Sequence, residues 1–420
     1  MAPRELLLGS FQVALAAADP LKIVGAHLPA PPKGRTLVVG AGKAAASMAL
    51  AVEQHWPVSA PLDGLVITRY QHGLETQRIT VIEAGHPVPD ESGEKAAQEI
   101  LHRVKTLTAD DLLLVLVSGG GSSLLTLPAD GIAIDDIQTL TRQLLASGAP
   151  IQEMNIVRKH LSAIKGGRLA AAASPAKVVT LVISDVPGDD PSIVASGPTV
   201  ADKSTFVQAQ NILRRYGISE PRSAVDYILR AQDETPKPGD PRLAGNEIHV
   251  IATARKSLEA AAGIAGAHGL TPIMLGDAIE GEARLVGAEH GKLALDILAG
   301  RAEIAAPCIL LSGGETTVTV RHNGRGGRNA EYLLGLALAV DGNESIHALA
   351  GDTDGIDGSE ANAGACFDPN TLQRARRACL DPLKVLDGND AFTLFEKTGD
   401  LVVTGPTLTN VNDFRAVVVK

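Results

Sequence analysis

Seven short runs along the chain, at 36–39, 65–68, 112–117, 178–184, 249–252, 308–311 and 347–350, are apolar at nearly every position instead of at alternate ones. A strand with one wet face alternates, so unbroken apolar runs of this length predict strands covered on both faces, as in a parallel sheet flanked by helices. Between them lie stretches with helical periodicity at 44–55, 91–107, 134–147, 155–173, 255–268 and 331–339. Strands alternating with helices predict α/β layers. A connector at 232–242, stiffened by Pro236, Pro238 and Pro241, predicts a division into an N-terminal domain, 1–240, and a C-terminal one, 241–420, whose own strand and helix series starts at Asn246. The end of the chain, 401–420, reads as strand, Gly405-Pro406 turn and strand, predicting an antiparallel pair that makes the second sheet mixed. The first 18 residues read as an amphipathic helix. Leu6 to Leu8 and Ala14 to Ala18 also resemble a secretory signal, but Glu5, Gly9 and Gln12 interrupt it.

Composition narrows the class. With 420 residues, 45% hydrophobic and 20% charged, the chain is globular and long enough for two or three domains, and a disordered protein is excluded. Thirty-eight basic against 48 acidic residues give a net charge of −10, which disfavours nucleic acid as a partner. Cys308, Cys366 and Cys379 have no metal-ligand spacing, which excludes structural zinc and predicts a reducing, cytoplasmic setting. No run of 18 apolar residues exists, so no membrane span is expected. The 43 glycines cluster behind the apolar runs, at strand ends, where open α/β sheets hold their ligands.

Several of these strand-end loops carry chemistry. The turn Gly40-Ala41-Gly42-Lys43-Ala44 would present backbone N–H groups, a helix start and Lys43 to an anion. It is not a P-loop, since Leu37 and Ala44 stand where the motif needs glycine and a hydroxyl residue. Gly40-x-Gly42-x-x-Ala45 meets the loose dinucleotide fingerprint, but the following strand ends in Thr68-Arg69 and offers no ribose-binding acid. Ser118, Gly119, Gly120, Gly121, Ser122 and Ser123 suit a main chain brought close to a phosphate, with Ser122 or Ser123 capping the next helix. In 155–168, Asn155 would be an N-cap, and Arg158 and Lys165 would share a helix face near Lys159 and Arg168; an anion site and a solvated face are both open. Asp185, Asp189 and Asp190, followed by Ser196-Gly197, gather hard oxygen ligands suited to Mg²⁺, with turn capping as the alternative.

The second half repeats the pattern. Gly313, Gly314 and Glu315 follow one strand, and Gly327-Arg328-Asn329 opens a helix where an acid would ordinarily suit the dipole, so a planar cation there points to an anion. Asp352, Asp354 and Asp357 lie at another strand end without EF-hand spacing. Residues 404–413, including Asn410, add amide and hydroxyl donors.

In this order, the motifs at 40–44, 118–123, 158–167, 184–189, 196–198, 326–331, 351–355 and 404–410 resemble those of the glycerate 2-kinase family, whose second half is the MOFRL domain and whose members are often labelled hydroxypyruvate reductase. The resemblance covers nearly the whole chain. It implies a Rossmann-like N-terminal domain, a smaller domain with its MOFRL region at about 305–415, and ATP-dependent phosphorylation of D-glycerate at its 2-hydroxyl, with Mg²⁺, in a cleft between the two. On that reading Lys43, Arg328 and Asp185 are catalytic, and Asp185 with Asp189 holds the metal. Gly42, Ser118, Gly119, Gly120, Gly121, Ser122, Lys159, Ser196, Gly197, Gly313, Gly314, Glu315, Asn329, Asp352, Asp354 and Asn410 then line the substrate and nucleotide sites. Ala330 departs from the pattern, where glutamine is expected. Glycerate and ATP are the implied partners, with no nucleic acid or membrane, and the oligomeric state is open, a homodimer included. The inventory suits phosphoryl transfer, which mainly asks that oxygens be positioned and neutralised. Two rivals are a nicotinamide-dependent hydroxypyruvate reductase, which needs a ribose carboxylate and a hydride-side acid, and a non-catalytic sugar-acid sensor, which needs no metal site.

Overall fold

The apolar runs lie in two six-stranded sheets in a computed structural model that describes residues 2–420. The first sheet holds β1 (Thr36–Ala41), β2 (Leu62–Arg69), β3 (Ile79–Ala84), β4 (Leu112–Val117), β5 (Lys177–Ile183) and β6 (Glu247–Ala252), in the order β3-β2-β1-β4-β5-β6. All pairings from β3 across to β5 are parallel. β1 and β4 are buried at every position, which is why their sequences do not alternate. This is the doubly wound order, and its direction of winding reverses between β1 and β4. Ala41 registers with Val117, and Val117 with Val182, so the loops after β1, β4 and β5 leave the sheet side by side.

The second sheet, in the order β11-β10-β9-β12-β8-β7, holds β7 (Thr271–Gly276), β8 (Cys308–Gly314), β9 (Ile346–Asp352), β10 (Gly364–Phe367), β11 (Leu401–Val402) and β12 (Asp413–Val419). β7 and β8 run parallel, and the other pairs are antiparallel, so the sheet is mixed. The expected antiparallel pair within 401–420 does not form. β12 instead inserts between β8 and β9, where its fully buried stretch is covered on both edges, while β11 pairs with β10.

The chain divides into one compact unit, Pro20–Ile251, and a second made of residues 2–19 together with Ala252–Lys420. The division falls beyond the proline-rich connector because β6 completes the first sheet, with Ile248 and Val250 packed on that core. The connector itself is tied down: Asp202 N–H donates to the Pro236 carbonyl at 2.9 Å, and Glu234 meets His160 Nε2 at 2.9 Å. The first helix, Pro3–Ala17, sets Leu6, Leu7, Phe11 and Ala14 against Leu258, Leu349 and Phe414 of the second unit.

The stretch 155–173 is not one helix. It is broken into Ile151–His160 and Arg168–Ala173, which places Asn155 inside a helix and not at its cap. Gly166 and Gly167, both at positive φ, end the continuity. Strands β3, β7 and β10 were not expected. β3 and β7 are half-exposed and β10 is Gly-Ala-Cys-Phe, so none has the strongly apolar signature of the others. Among the described residues no single helix is long and apolar enough to cross a membrane.

Candidate active site

Three adjacent loops of the first unit carry most of the expected residues. After β1, however, the N–H groups of Gly42, Lys43 and Ala44 do not face outward. They donate to the Ile67 carbonyl (3.1 Å), the Gly119 carbonyl (2.8 Å) and Ser118 Oγ (3.0 Å). The turn is stitched to its neighbours, so what it can present to a ligand is the Lys43 side chain and not a cradle of amides. Gly120, at φ +81°, lies so close to the His86 ring that a Cβ would stand 2.9 Å from it. A side chain there would meet both backbone strain and a ring. The short helix Gly121–Leu124 already contains Ser122 and Ser123, so neither caps it. Ser122 Oγ instead lies 2.9 Å from Ser196 Oγ.

Ser196 is fully buried, and both it and Ala195 sit at positive φ. Non-glycine residues in that region cost on the order of 1–3 kcal/mol each, and they persist where surrounding bonds over-determine them. Here the Gly166 and Gly167 N–H groups donate to the Ser196 and Gly197 carbonyls at 3.0 and 2.8 Å. The same pair of glycines that breaks the expected helix therefore clamps the Ser196-Gly197 turn.

Lys159 is buried and lies 3.4 Å from Asp202 Oδ1, so its charge is neutralised within the fold. Two other basic residues of this stretch border a cavity. Arg158 and Lys165 line a cavity of about 500 Å³, together with Gly120, Ser122 and Ser162. Lys165 comes from the turn between the two helices and donates from Nζ to the Ser122 carbonyl at 2.5 Å. Burial, reinforced by the nearby Arg158 charge, pushes its amine down from 10.5 to about 7.

Between those values the unfolded chain holds a proton on this amine that the folded protein has lost, so folding releases a proton and stability rises with pH through the window. We expect the unfolding free energy to gain about 1.4 kcal/mol per pH unit from this group above pH 7. Denaturant titrations at pH 7, 8 and 9 check it. Lys165→Met should flatten the slope, and an unchanged slope would mean that the amine is not buried.

Asp185 and Asp189 stand on the loop after β5, both half-buried, with Asp189 at φ +55°. Among the described residues no group of three or more Asp, Glu, His or Cys side chains could hold a metal ion. Two hard carboxylates at one turn do fit Mg²⁺, which takes one or two protein carboxylates and completes its octahedron with water and substrate phosphates.

The second unit builds its own cluster around Arg328, the first residue of the helix Arg328–Val340. Asp413 registers with Gly314 on β8 and with Asp352 on β9, which brings three strand ends level at this point. The guanidinium donates from Nε to Asp413 Oδ1 (2.8 Å), from Nη2 to Asp352 Oδ2 (2.8 Å) and from Nη1 to Glu315 Oε1 (2.9 Å). Burial alone would weaken its proton affinity, but the three carboxylates outweigh that and raise it. Behind it, the fully buried Arg415 bonds to Asp413 Oδ2 at 2.5 Å and to Thr316 Oγ1 at 3.1 Å, with its guanidinium 5.2 Å from the Tyr332 ring centre.

Asn329 donates to Asp413 Oδ1 at 2.8 Å, while its own buried Oδ1 has no hydrogen-bond partner among the described residues. Asp357, unassigned from sequence, accepts from the N–H groups of Asn329 (2.9 Å) and Ala330 (2.8 Å) and so caps the Arg328 helix. Burial raises its carboxyl to about 6 against those bonds. Ala330 is fully buried, so the departure from glutamine removes no exposed contact.

Gly313 and Gly314 belong to β8 and not to a loop. A Cβ on Gly314 would stand 2.2 Å from the Ile279 nitrogen, so backbone packing accounts for that glycine. Asp354 and Asn410 turn inward: Asp354 Oδ1 accepts from Ile356 N–H (2.9 Å) and Asn410 Oδ1 from Asn412 N–H (3.2 Å), holding the loops that flank Arg328.

Comparison with known proteins gives the arrangement a context. Residues 6–230 match a family described as a domain of unknown function (DUF4147), and residues 308–413 match the MOFRL family. A D-glycerate 2-kinase from Thermotoga maritima is 39% identical over 411 residues, covering 98% of this chain and 97% of its own. A protein provisionally named hydroxypyruvate reductase, from Agrobacterium vitis, is 53% identical, covering 99% of this chain and 94% of its own. The crystal structure of a glycerate kinase from Thermotoga maritima aligns with a TM-score of 0.91 at 37% identity, covering 99% of both chains. Likeness on this scale, in fold as well as sequence, puts the chain among kinase-type phosphotransferases. It belongs to the glycerate kinase family, with its DUF4147 and MOFRL regions joined in one chain.

Proposed function

We propose that this protein is a glycerate 2-kinase that moves the γ-phosphoryl group of ATP to the 2-hydroxyl of D-glycerate. The observation that carries the reading is the convergence of a lysine turn, a serine-glycine loop and a two-aspartate loop at the ends of three neighbouring strands, on the side where the winding reverses. The glycerate oxygen attacks Pγ, the bond from Pγ to the β–γ bridging oxygen breaks, and the electron pair leaves on ADP. Lys43 neutralises the migrating group, and Asp185 accepts the hydroxyl proton, which in a loose transition state is given up late. Arg328 is the carboxylate-binding candidate of the second unit, and the unpartnered Asn329 Oδ1 is an acceptor that a substrate hydroxyl would satisfy. Mg²⁺, held by Asp185 and Asp189, would supply charge neutralisation at the phosphates. The free cysteines support a cytoplasmic setting.

The reductase name of the Agrobacterium vitis relative calls for a direct comparison. Gly40 and Ala41 lie inside β1, the amides of the following turn are engaged, and β2 ends in Thr68-Arg69 with no ribose acid, all of which weigh against a dinucleotide. With ATP, Mg²⁺ and D-glycerate the purified protein should form ADP and 2-phosphoglycerate, followed by a coupled assay and phosphorus NMR. With hydroxypyruvate it should oxidise neither NADH nor NADPH. NADPH-dependent turnover without ADP would overturn the kinase reading, and glycerate binding with neither activity would favour a sensor. Asp185→Asn and Asp189→Asn should raise the Mg²⁺ concentration needed for half-maximal rate; full activity of both at limiting Mg²⁺ would remove the metal from this loop.

A further inference from the structure

The cavity bounded by Arg158 and Lys165 has two unlike ends. One holds the Arg158 guanidinium and the Lys165 amine, with no carboxylate within ion-pairing distance of either among the described residues, beside the Ser122 carbonyl and Gly120. Among the described residues the charge that bears on the Lys165 amine is that of Arg158, which repels it. Charging the Lys165 amine beside Arg158, out of water, is unfavourable unless an anion joins them, and among the described residues no carboxylate does. The other end is a wall of Pro87, Val88 and Pro89 and of Ile137 and Leu145 of the helix Ile134–Ala146, with the polar Gln138, Thr141 and Arg142 of that helix beside them. Val88 is 62% exposed and Leu145 60% exposed, so this wall is open at its mouth.

Of the two substrates in the proposed reaction, only one matches both ends. Glycerate carries oxygen on every carbon and has no apolar face to lay on such a wall. A nucleotide has a flat base and a sugar followed by a phosphate chain, and about 500 Å³ falls within the range of pockets that bury ligands of that size. We propose that this cavity seats the nucleoside diphosphate portion of the phosphoryl donor, its base and ribose along the wall from Val88 to Leu145 and its phosphates toward Lys165 and Arg158. The inference rests on the kinase reading and extends it by assigning the donor a place within the first unit. It gives Arg158 and Lys165 the anion-handling task that Lys159, already paired with Asp202, cannot perform.

Val88→Asp and Leu145→Asp test it, because both residues are exposed and neither substitution opens the core. A carboxylate at the mouth would meet the donor with repulsion and a lost apolar contact. ADP binding, measured by calorimetry without glycerate, should weaken by at least ~10-fold, and KM for ATP should rise by a similar factor while KM for glycerate and Tm stay as in the wild type. Photolabelling of the wild type with 8-azido-ADP should mark peptides containing 86–89 or 137–145. If wild-type protein turns over ATP and glycerate, but the variants shift KM for glycerate alone or shift neither constant, the cavity is not the donor site. Label found only elsewhere leads to the same conclusion. Absence of any ATP-dependent turnover by the wild type would instead bring down the kinase reading itself.

Discussion

Arg328→Ala and Lys43→Ala should each lower kcat/KM for glycerate phosphorylation by at least ~10²-fold, the scale on which removing one preorganised charge acts at a transition state. The two variants should differ in stability. Arg328 stands between three carboxylates, Asp352, Asp413 and Glu315, so its loss leaves them facing one another at the strand ends, and Tm should fall together with activity. Glu315 is the most exposed of the three and is the partner a substrate carboxylate would displace most readily. Arg328→Lys keeps the charge but not the planar fork, so it should recover stability more than rate. Steady-state kinetics with thermal melts on the same samples separate these effects; near-wild-type rates in both alanine variants would remove the two cations from the mechanism.

Asp413→Ala should be the most destabilising single change around this cluster, by about 3–5 kcal/mol in denaturant unfolding, because it leaves an uncompensated buried charge. Asp413 bonds to Arg328 and Asn329 through one oxygen and to Arg415 through the other. Arg415 has no exposure to water and no second carboxylate to turn to. Asp413→Asn keeps the shape and one acceptor, so it should lose less stability while still loosening Arg328. An alanine variant as stable as the wild type would show that the pair Asp413–Arg415 is dispensable to the fold.

The alternation of strand and helix, the two-unit α/β plan and the helix start at Arg328 were legible because they depend on local pattern: apolar runs, glycines behind them, and a cap site. The partners of each site residue were not. Lys165 was read as sitting one helical face from Arg158, yet the chain breaks between them, and they converge on one cavity through the turn that Gly166 and Gly167 create. Nothing between Arg158 and Lys165 in the sequence signals the break, and the two glycines lie just beyond it. The amides of Gly42 to Ala44 look open in the sequence for the same reason: the Ser118 loop that occupies those of Lys43 and Ala44 lies more than seventy residues away, and the Ile67 carbonyl that takes that of Gly42 belongs to the next strand. Asp413 did carry a signal: it stands two residues before Arg415 on a strand, so both side chains fall on one face, and a buried arginine there needs an acid.

The first helix has a consequence for the order in which the protein can be built. Its apolar face, Leu6, Leu7, Phe11 and Ala14, leaves the ribosome well before its partners Leu258, Leu349 and Phe414. The unit from Pro20 to Ile251 has its complete sheet within that span and can assemble during synthesis. The unit that holds Arg328 cannot close until β12 has been made. For that interval the helix travels as an uncovered amphipathic segment, the kind of transiently exposed apolar surface that leaves an unfinished chain open to aggregation.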